Sequence, residues 1–166
     1  MTNLEFYEQL EEQIHEIWSQ IEMPDAQGQL KISDDGDNLQ QLFYGKKYSE
    51  VDCDSLSFCN SHAIGYLSAP FQTYYFGAYA LMYCEYGRNA CIVDDEGYEE
   101  YDEGYGLSDA ELCHQVMFST LGKIWNQELP KAMRGFLESM AKCILTNGFN
   151  GTEQAMRDVS RIVPNF

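Results

Sequence analysis

At 166 residues, with 45% apolar and 14% aromatic residues, the chain has the length of one domain and the apolar content to bury a core, which argues against a disordered protein. Its 27 acids against 10 bases leave a net charge of -17 at pH 7, a field that repels nucleic acid and speeds encounter with basic surfaces. The charge is uneven: residues 1–122 hold 23 acids and 4 bases, residues 123–166 hold 4 acids and 6 bases, so the acidic surface belongs to the first three quarters.

The first expected element is a helix. Thr2 and Glu5 form a capping-box pattern, and Leu4, Tyr7, Leu10, Ile14, Trp18 and Ile21 recur at helical spacing up to Pro24, which gives the helix one core-facing stripe. On the opposite side Glu5, Glu8, Glu12 and Glu16 fall three and four residues apart and stack as one ridge. Like charges so placed repel by about 0.2–0.5 kcal/mol per pair. Next, "QLKIS" (29–33) and "NLQQLFY" (38–44) flank the turn-forming "DDGD", the pattern of a β-hairpin, and residues 45–62 read as irregular. From Tyr74 to Val93 the aromatic run "YYFGAYALMYCEY", the break "GRN" and the strand-like "ACIV" predict a second hairpin closing at Gly87–Asn89.

Three helices are expected to follow. Ser108 and Glu111 mark the start of one carrying Leu112, Val116, Met117, Leu121, Ile124 and Trp125, apolar around so much of its girth that it should be the most buried. Pro130 opens the next, with the stripe Met133, Phe136, Leu137, Met140, Ile144 and Leu145 ending at Asn147-Gly148, and with Arg134, Glu138 and Lys142 spaced for an ion-pair ladder outside. A last short helix spans about 152–163, before Pro164. The expected fold is therefore one α+β domain over 1–166: an N-terminal helix and two antiparallel β-hairpins against a C-terminal group of about three helices.

Enzymatic signatures are sparse. The six cysteines are scattered and the N-terminus lacks a secretory pattern, so reduced thiols and a cytoplasmic location are expected. Residues 55–84 lack Asp, Glu, Lys and Arg, yet Pro70, Gln72, Thr73 and several Ser and Tyr break the apolar continuity that a membrane span needs. Cys59 and His62 in "CNSH" have no second ligand pair, so no structural zinc site is expected, and ordinary loop residues explain them. A thiol hydrolase pairing Cys59 with His114 is the enzymatic alternative, against the simpler reading of His114 as a core histidine beside Cys113. No phosphate-binding glycine loop occurs, and "DDGDN" at 34–38 lacks the pattern of a calcium loop; no cofactor is expected.

The main functional signal is "DDEGYEEYDEGYG", residues 94–106. It combines the carboxylates Asp94, Asp95, Glu96, Glu99, Glu100, Asp102 and Glu103 with Tyr98, Tyr101 and Tyr105, and carries no cation. An acidic run can serve solubility alone. The tyrosines point further, because stiff amphipathic rings anchor interfaces and a guanidinium both pairs with carboxylates and stacks on aromatic faces. A surface rich in Arg and Lys is typical of proteins that neutralise phosphates. The tract and the ridge Glu5, Glu8, Glu12 and Glu16 are thus the expected partner-binding residues, and the expected partner is a basic protein, a nucleic-acid-binding enzyme or complex. A homo-oligomer is compatible with the same composition.

The order "YFGAYALMY" (75–83), "GRN" (87–89) and "LSDAEL" (107–112) resembles the ArdB/KlcA antirestriction family, small acidic proteins of mobile elements with a hairpin strand, a tight turn and closing helices. Ala78 and Ala80 stand where that family's pattern has Gly and Trp, and the first 60 residues do not share in the resemblance. No site residue follows from it. The function expected from charge and resemblance together is a non-enzymatic acidic inhibitor of the antirestriction or anti-CRISPR type. An immunity or antitoxin protein against a basic toxin is the alternative.

Overall fold

A computed structural model describes residues 3–25, 42–51, 63–96, 121–122, 124–146, 157 and 160–163. Among these the chain is mostly helical and contains no β-sheet, which corrects the expected α+β class to an α-helical one.

The first helix, α1, spans Asn3–Trp18. Its stripe is as expected: Leu10, Ile14 and Trp18 are buried and Leu4, Tyr7 and Ile21 half-buried, while Glu5, Glu8, Glu12 and Glu16 are exposed. Ile21 lies beyond the helix, whose end tightens into bonds from Gln20 N to Ile17 O (3.2 Å) and from Ile21 N to Trp18 O (3.1 Å). Of the first expected hairpin, 26–41 lie outside the described residues. Its tail Leu42–Phe43 is helical and followed by a turn at Tyr44–Gly45, where Gly45 takes the left-handed φ of 69° that suits a residue without Cβ. A short 3₁₀ turn follows at Tyr48–Glu50, with Glu50 Oε2 accepting from Lys47 N at 2.9 Å, and another at Ala63–Tyr66.

The second expected hairpin is replaced by one 28-residue helix, α2, over Ala69–Glu96. Gly87, Arg88 and Asn89, read as the hairpin turn, lie within its length. The helix starts after Ser68, whose carbonyl accepts from Gln72 N (2.9 Å), and Pro70 sits in the first turn, where its missing N–H costs nothing. Tyr74, Tyr75, Phe76, Ala78, Tyr79, Ala80, Met82, Tyr83 and Cys84 are all buried, so the middle of α2 is covered on every side and shows no amphipathic stripe. That uniform apolarity is what imitated a strand pair in the sequence.

Small residues bring α1 and α2 together. A Cβ built on Gly77 would stand 2.5 Å from the Trp18 ring, and one on Gly87 would clash with the Tyr7 ring. Trp18 therefore lies flat in a notch near the start of α2 and Tyr7 in a second notch ten residues on, so the two helices run antiparallel. Trp18 Nε1 donates to the carbonyl of Tyr74 at 2.9 Å, and its ring packs on Phe76 and, edge to face at 5.5 Å, on Phe136. Burying such an indole removes about 150–250 Å² from water, which at about 25 cal/mol per Å² stabilises the fold by about 4–6 kcal/mol before ordering costs.

The helix α3, Lys131–Thr146, begins as expected: the Pro130 carbonyl accepts from Arg134 N at 3.0 Å, and Met133, Phe136, Leu137, Met140 and Ala141 are buried. Ahead of it, 121–122 and 124–125 are helical, with Leu121 and Ile124 fully buried; the helix start expected at Ser108 and Glu111 lies outside the described residues. Arg134 turns away from a simple surface ladder: its guanidinium lies 4.8 Å above Trp125 and donates to the Gln127 carbonyl at 3.0 Å. Gln127 in turn donates to Gln72 Oε1 (3.1 Å), which gives the buried Gln72 amide a partner and ties α2 to the approach of α3. Residues 157 and 160–162 are helical, with Ile162 buried, in line with the expected last helix. No described helix is long and apolar enough to cross a membrane.

Candidate functional site

The residues expected to bind a partner fall on two elements. Glu5, Glu8, Glu12 and Glu16 share the outer side of α1, all exposed. Helical rise places Glu5 and Glu16 about 16 Å apart along the axis. The sequence of α1 contains neither Lys nor Arg. The cation that reaches this helix from α2, Arg88, pairs with Glu11, which sits between ridge and core. Among the described residues no cation comes within ion-pair distance of Glu8, Glu12 or Glu16.

Of the acidic tract, Asp94, Asp95 and Glu96 form the last turn of α2, and no basic residue shares that turn. Tyr98, Glu99, Glu100, Tyr101, Asp102, Glu103 and Tyr105 lie outside the described residues, as do Cys59, His62, Cys113 and His114. The strand and turn on which the family resemblance rested, 75–83 and 87–89, are both parts of α2.

Behind the ridge runs a polar chain that the sequence did not suggest. Arg88 pairs with Glu11, Glu11 Oε1 stands 4.0 Å from His15 Nε2, and the Tyr48 hydroxyl and His15 Nδ1 share a hydrogen bond of 3.1 Å. Carboxylate, imidazole and hydroxyl in that order have the sequence of a nucleophilic triad. The chemistry opposes it. Burial, and then the neighbouring Tyr74, push the Tyr48 hydroxyl above its ordinary range, which is the reverse of an activated nucleophile, and 4.0 Å is too long for the orienting hydrogen bond. The chain acts as a lock that holds the 48–50 turn against α1 and α2.

The preceding turn, 42–46, is fastened to α2 as well. The Tyr75 hydroxyl faces the carbonyls of Phe43 (2.5 Å) and Lys46 (2.9 Å), and burial, then Tyr74, pushes it up to about 12. Among the described residues no group of three or more His, Cys, Asp or Glu side chains could hold a metal ion, and Cys84 is a buried thiol facing the interior. A shallow groove of about 260 Å³ opens between α1 and α3, with Glu16 and Ile17 on one wall and Ala132, Gly135 and Phe136 on the other. It could have been suspected from the small residues Ala132, Gly135 and Ser139, which share one side of α3. Comparisons of the chain with protein-family models, with curated proteins and with solved structures return no match.

Proposed function

We propose that this protein is a non-enzymatic acidic inhibitor that binds a basic, nucleic-acid-processing protein and covers the surface on which that protein holds phosphates. The observation that carries this reading is the outer side of α1. Its four exposed carboxylates span about 16 Å, a length over which one DNA strand presents about five phosphates. A row of nearly the same charge density on a rigid helix is a fitting substitute for a strand in a groove lined by Arg and Lys.

Cost supports the same reading. The ridge repels itself, so its placement spends stability for charge. Places where a sequence works against its own local structure are where function is expected. The antirestriction or anti-CRISPR class suits such a protein; an immunity protein would use the same electrostatics, and the partner's identity decides between them.

The test is affinity capture with the native protein and with the variant Glu5→Gln, Glu8→Gln, Glu12→Gln, Glu16→Gln, followed by elution with duplex DNA. The expected result is a basic nucleic-acid-binding protein held by the native chain, released by DNA and lost from the variant. Capture of the same proteins by both, unaffected by DNA, would overturn the proposal.

A further inference from the structure

The groove between α1 and α3 lies at the end of the carboxylate ridge, because Glu16 belongs to both. Its apolar lining comes from half-buried Ile17 on α1 and Phe136 on α3, and its α3 wall is low: a Cβ placed on Gly135 would meet nothing within 4 Å. Two polar side chains at the rim are already engaged with their own helices. Ser139 Oγ donates to the Gly135 carbonyl at 3.0 Å, and Gln20 Nε2 to the Glu16 carbonyl at 3.2 Å. The Glu16 carboxylate has no such partner among the described residues.

We propose that this groove receives one arginine side chain of the basic partner, a proposal that rests on the acidic-inhibitor reading and specifies its contact chemistry. The volume, about 260 Å³, falls below the usual range of small-molecule pockets, about 300–1,000 Å³, and suits a single long side chain. An aliphatic stem covers Ile17, Ala132 and Phe136 while the planar guanidinium forks the Glu16 carboxylate. Lysine fits less well, since its compact and strongly hydrated ammonium gives up more on leaving water and cannot bond in a fork. An apolar anchor would desolvate the carboxylate without pairing it.

The surrounding charge has the right sign. On α3 the exposed Lys131 and Lys142 are partly offset by exposed Glu138, and Arg134 is held over Trp125; on α1, Glu8, Glu12 and Glu5 extend the negative field from Glu16. Helix dipoles do not decide the matter, because the groove joins the last turn of α1 to the first turn of α3 and the two poles oppose each other.

The experiment measures, by calorimetry at low salt, the binding of two acetylated and amidated ten-residue peptides, one alternating alanine with arginine and the other alanine with lysine. The native protein should prefer the arginine peptide by about fivefold or more, the scale of one bidentate bond. Gly135→Leu, which fills the groove from a position with open space around it, should reduce that preference to none while leaving lysine-peptide affinity unchanged. The triple variant Glu5→Gln, Glu8→Gln, Glu12→Gln should weaken both peptides together and keep the preference. Equal native affinity for the two peptides, or a preference that survives Gly135→Leu, overturns the groove proposal alone. A triple variant that binds both peptides as the native protein does overturns the ridge reading alone, and absence of binding by either peptide overturns both.

Discussion

The two sides of α1 are built on opposite rules. Its inner side matches shape: Trp18 lies in the notch at Gly77 and Tyr7 in the notch at Gly87, so one methyl group at either notch would have to displace a ring. On its outer side no cation lies beside Glu8, Glu12 or Glu16 among the described residues, and the four ridge carboxylates form three neighbouring pairs that repel at helical spacing. Close packing explains the first side completely. The second side needs either water or a partner, and the comparison predicts that substitutions on the two sides change different observables.

The largest effect belongs to Trp18. Trp18→Ala removes a fully buried ring with contacts to Phe76 and Phe136 and the indole hydrogen bond to the Tyr74 carbonyl, so it should lower unfolding free energy by about 3–5 kcal/mol in urea titrations. A loss under 1 kcal/mol would break the picture of a shape-matched inner side.

Alkaline stability comes next. Tyr75 has its folded value raised to about 12 from an ordinary value of about 10, because a phenolate there would be buried and would lie beside Tyr74. A raised acid holds its proton longer when folded, so this stabilisation is complete below pH 10 and is lost between pH 10 and 12. A two-unit shift corresponds to about 2–3 kcal/mol. Tyr48 and Tyr74 shift in the same direction. Stability should therefore fall across pH 10–12 and fall less in Tyr75→Phe; a flat profile in the native protein would contradict the burial of these hydroxyls.

The glycines sharpen the comparison through a graded series. Gly77→Ala should destabilise by about 1–3 kcal/mol, because Trp18 is 1% exposed and cannot move aside. Gly87→Ala should cost less, since Tyr7 is half-buried and can swing outward. Gly135→Ala, on an exposed stretch with open space around the Cβ, should stabilise by about 0.5–1 kcal/mol through helix propensity alone. Thermal unfolding of the three variants tests the order, and equal effects would show that the notches are not tight.

What was legible in the sequence follows the same division. α1 and α3 alternate apolar and charged residues at helical spacing, so both were readable, down to the exposed ridge and the buried Met133, Phe136, Leu137 and Met140. α2 was misread because a helix covered on all sides loses that alternation, and because Gly87 and Asn89 look like a turn. Two features pointed the right way: Ser68 followed by Pro70 is a helix start, and the 13-residue run from 74 to 86, apolar or aromatic at all but Gly77 and Glu85, exceeds an ordinary strand. Gly77 and Gly87 were unreadable as notches, since nothing local indicates which ring fills them. The Glu11–His15–Tyr48 chain joins residues far apart in sequence and leaves no local pattern; the α1/α3 groove leaves only the small residues Ala132, Gly135 and Ser139 on one side of α3, which do not show which helix faces them.

The ridge itself carries the smallest effect on stability and the largest on binding. Glu5→Gln, Glu8→Gln, Glu12→Gln, Glu16→Gln should leave the fold intact and stabilise it by about 0.2–0.5 kcal/mol for each relieved pair. The most direct test that the outer side of α1 is a binding surface is the association rate of this variant with the captured basic partner, measured from low to high salt beside the native protein. If the ridge steers docking, the native rate should exceed the variant rate by about tenfold or more at low salt and converge with it at high salt; equal rates at every salt concentration would show that the ridge only meets water.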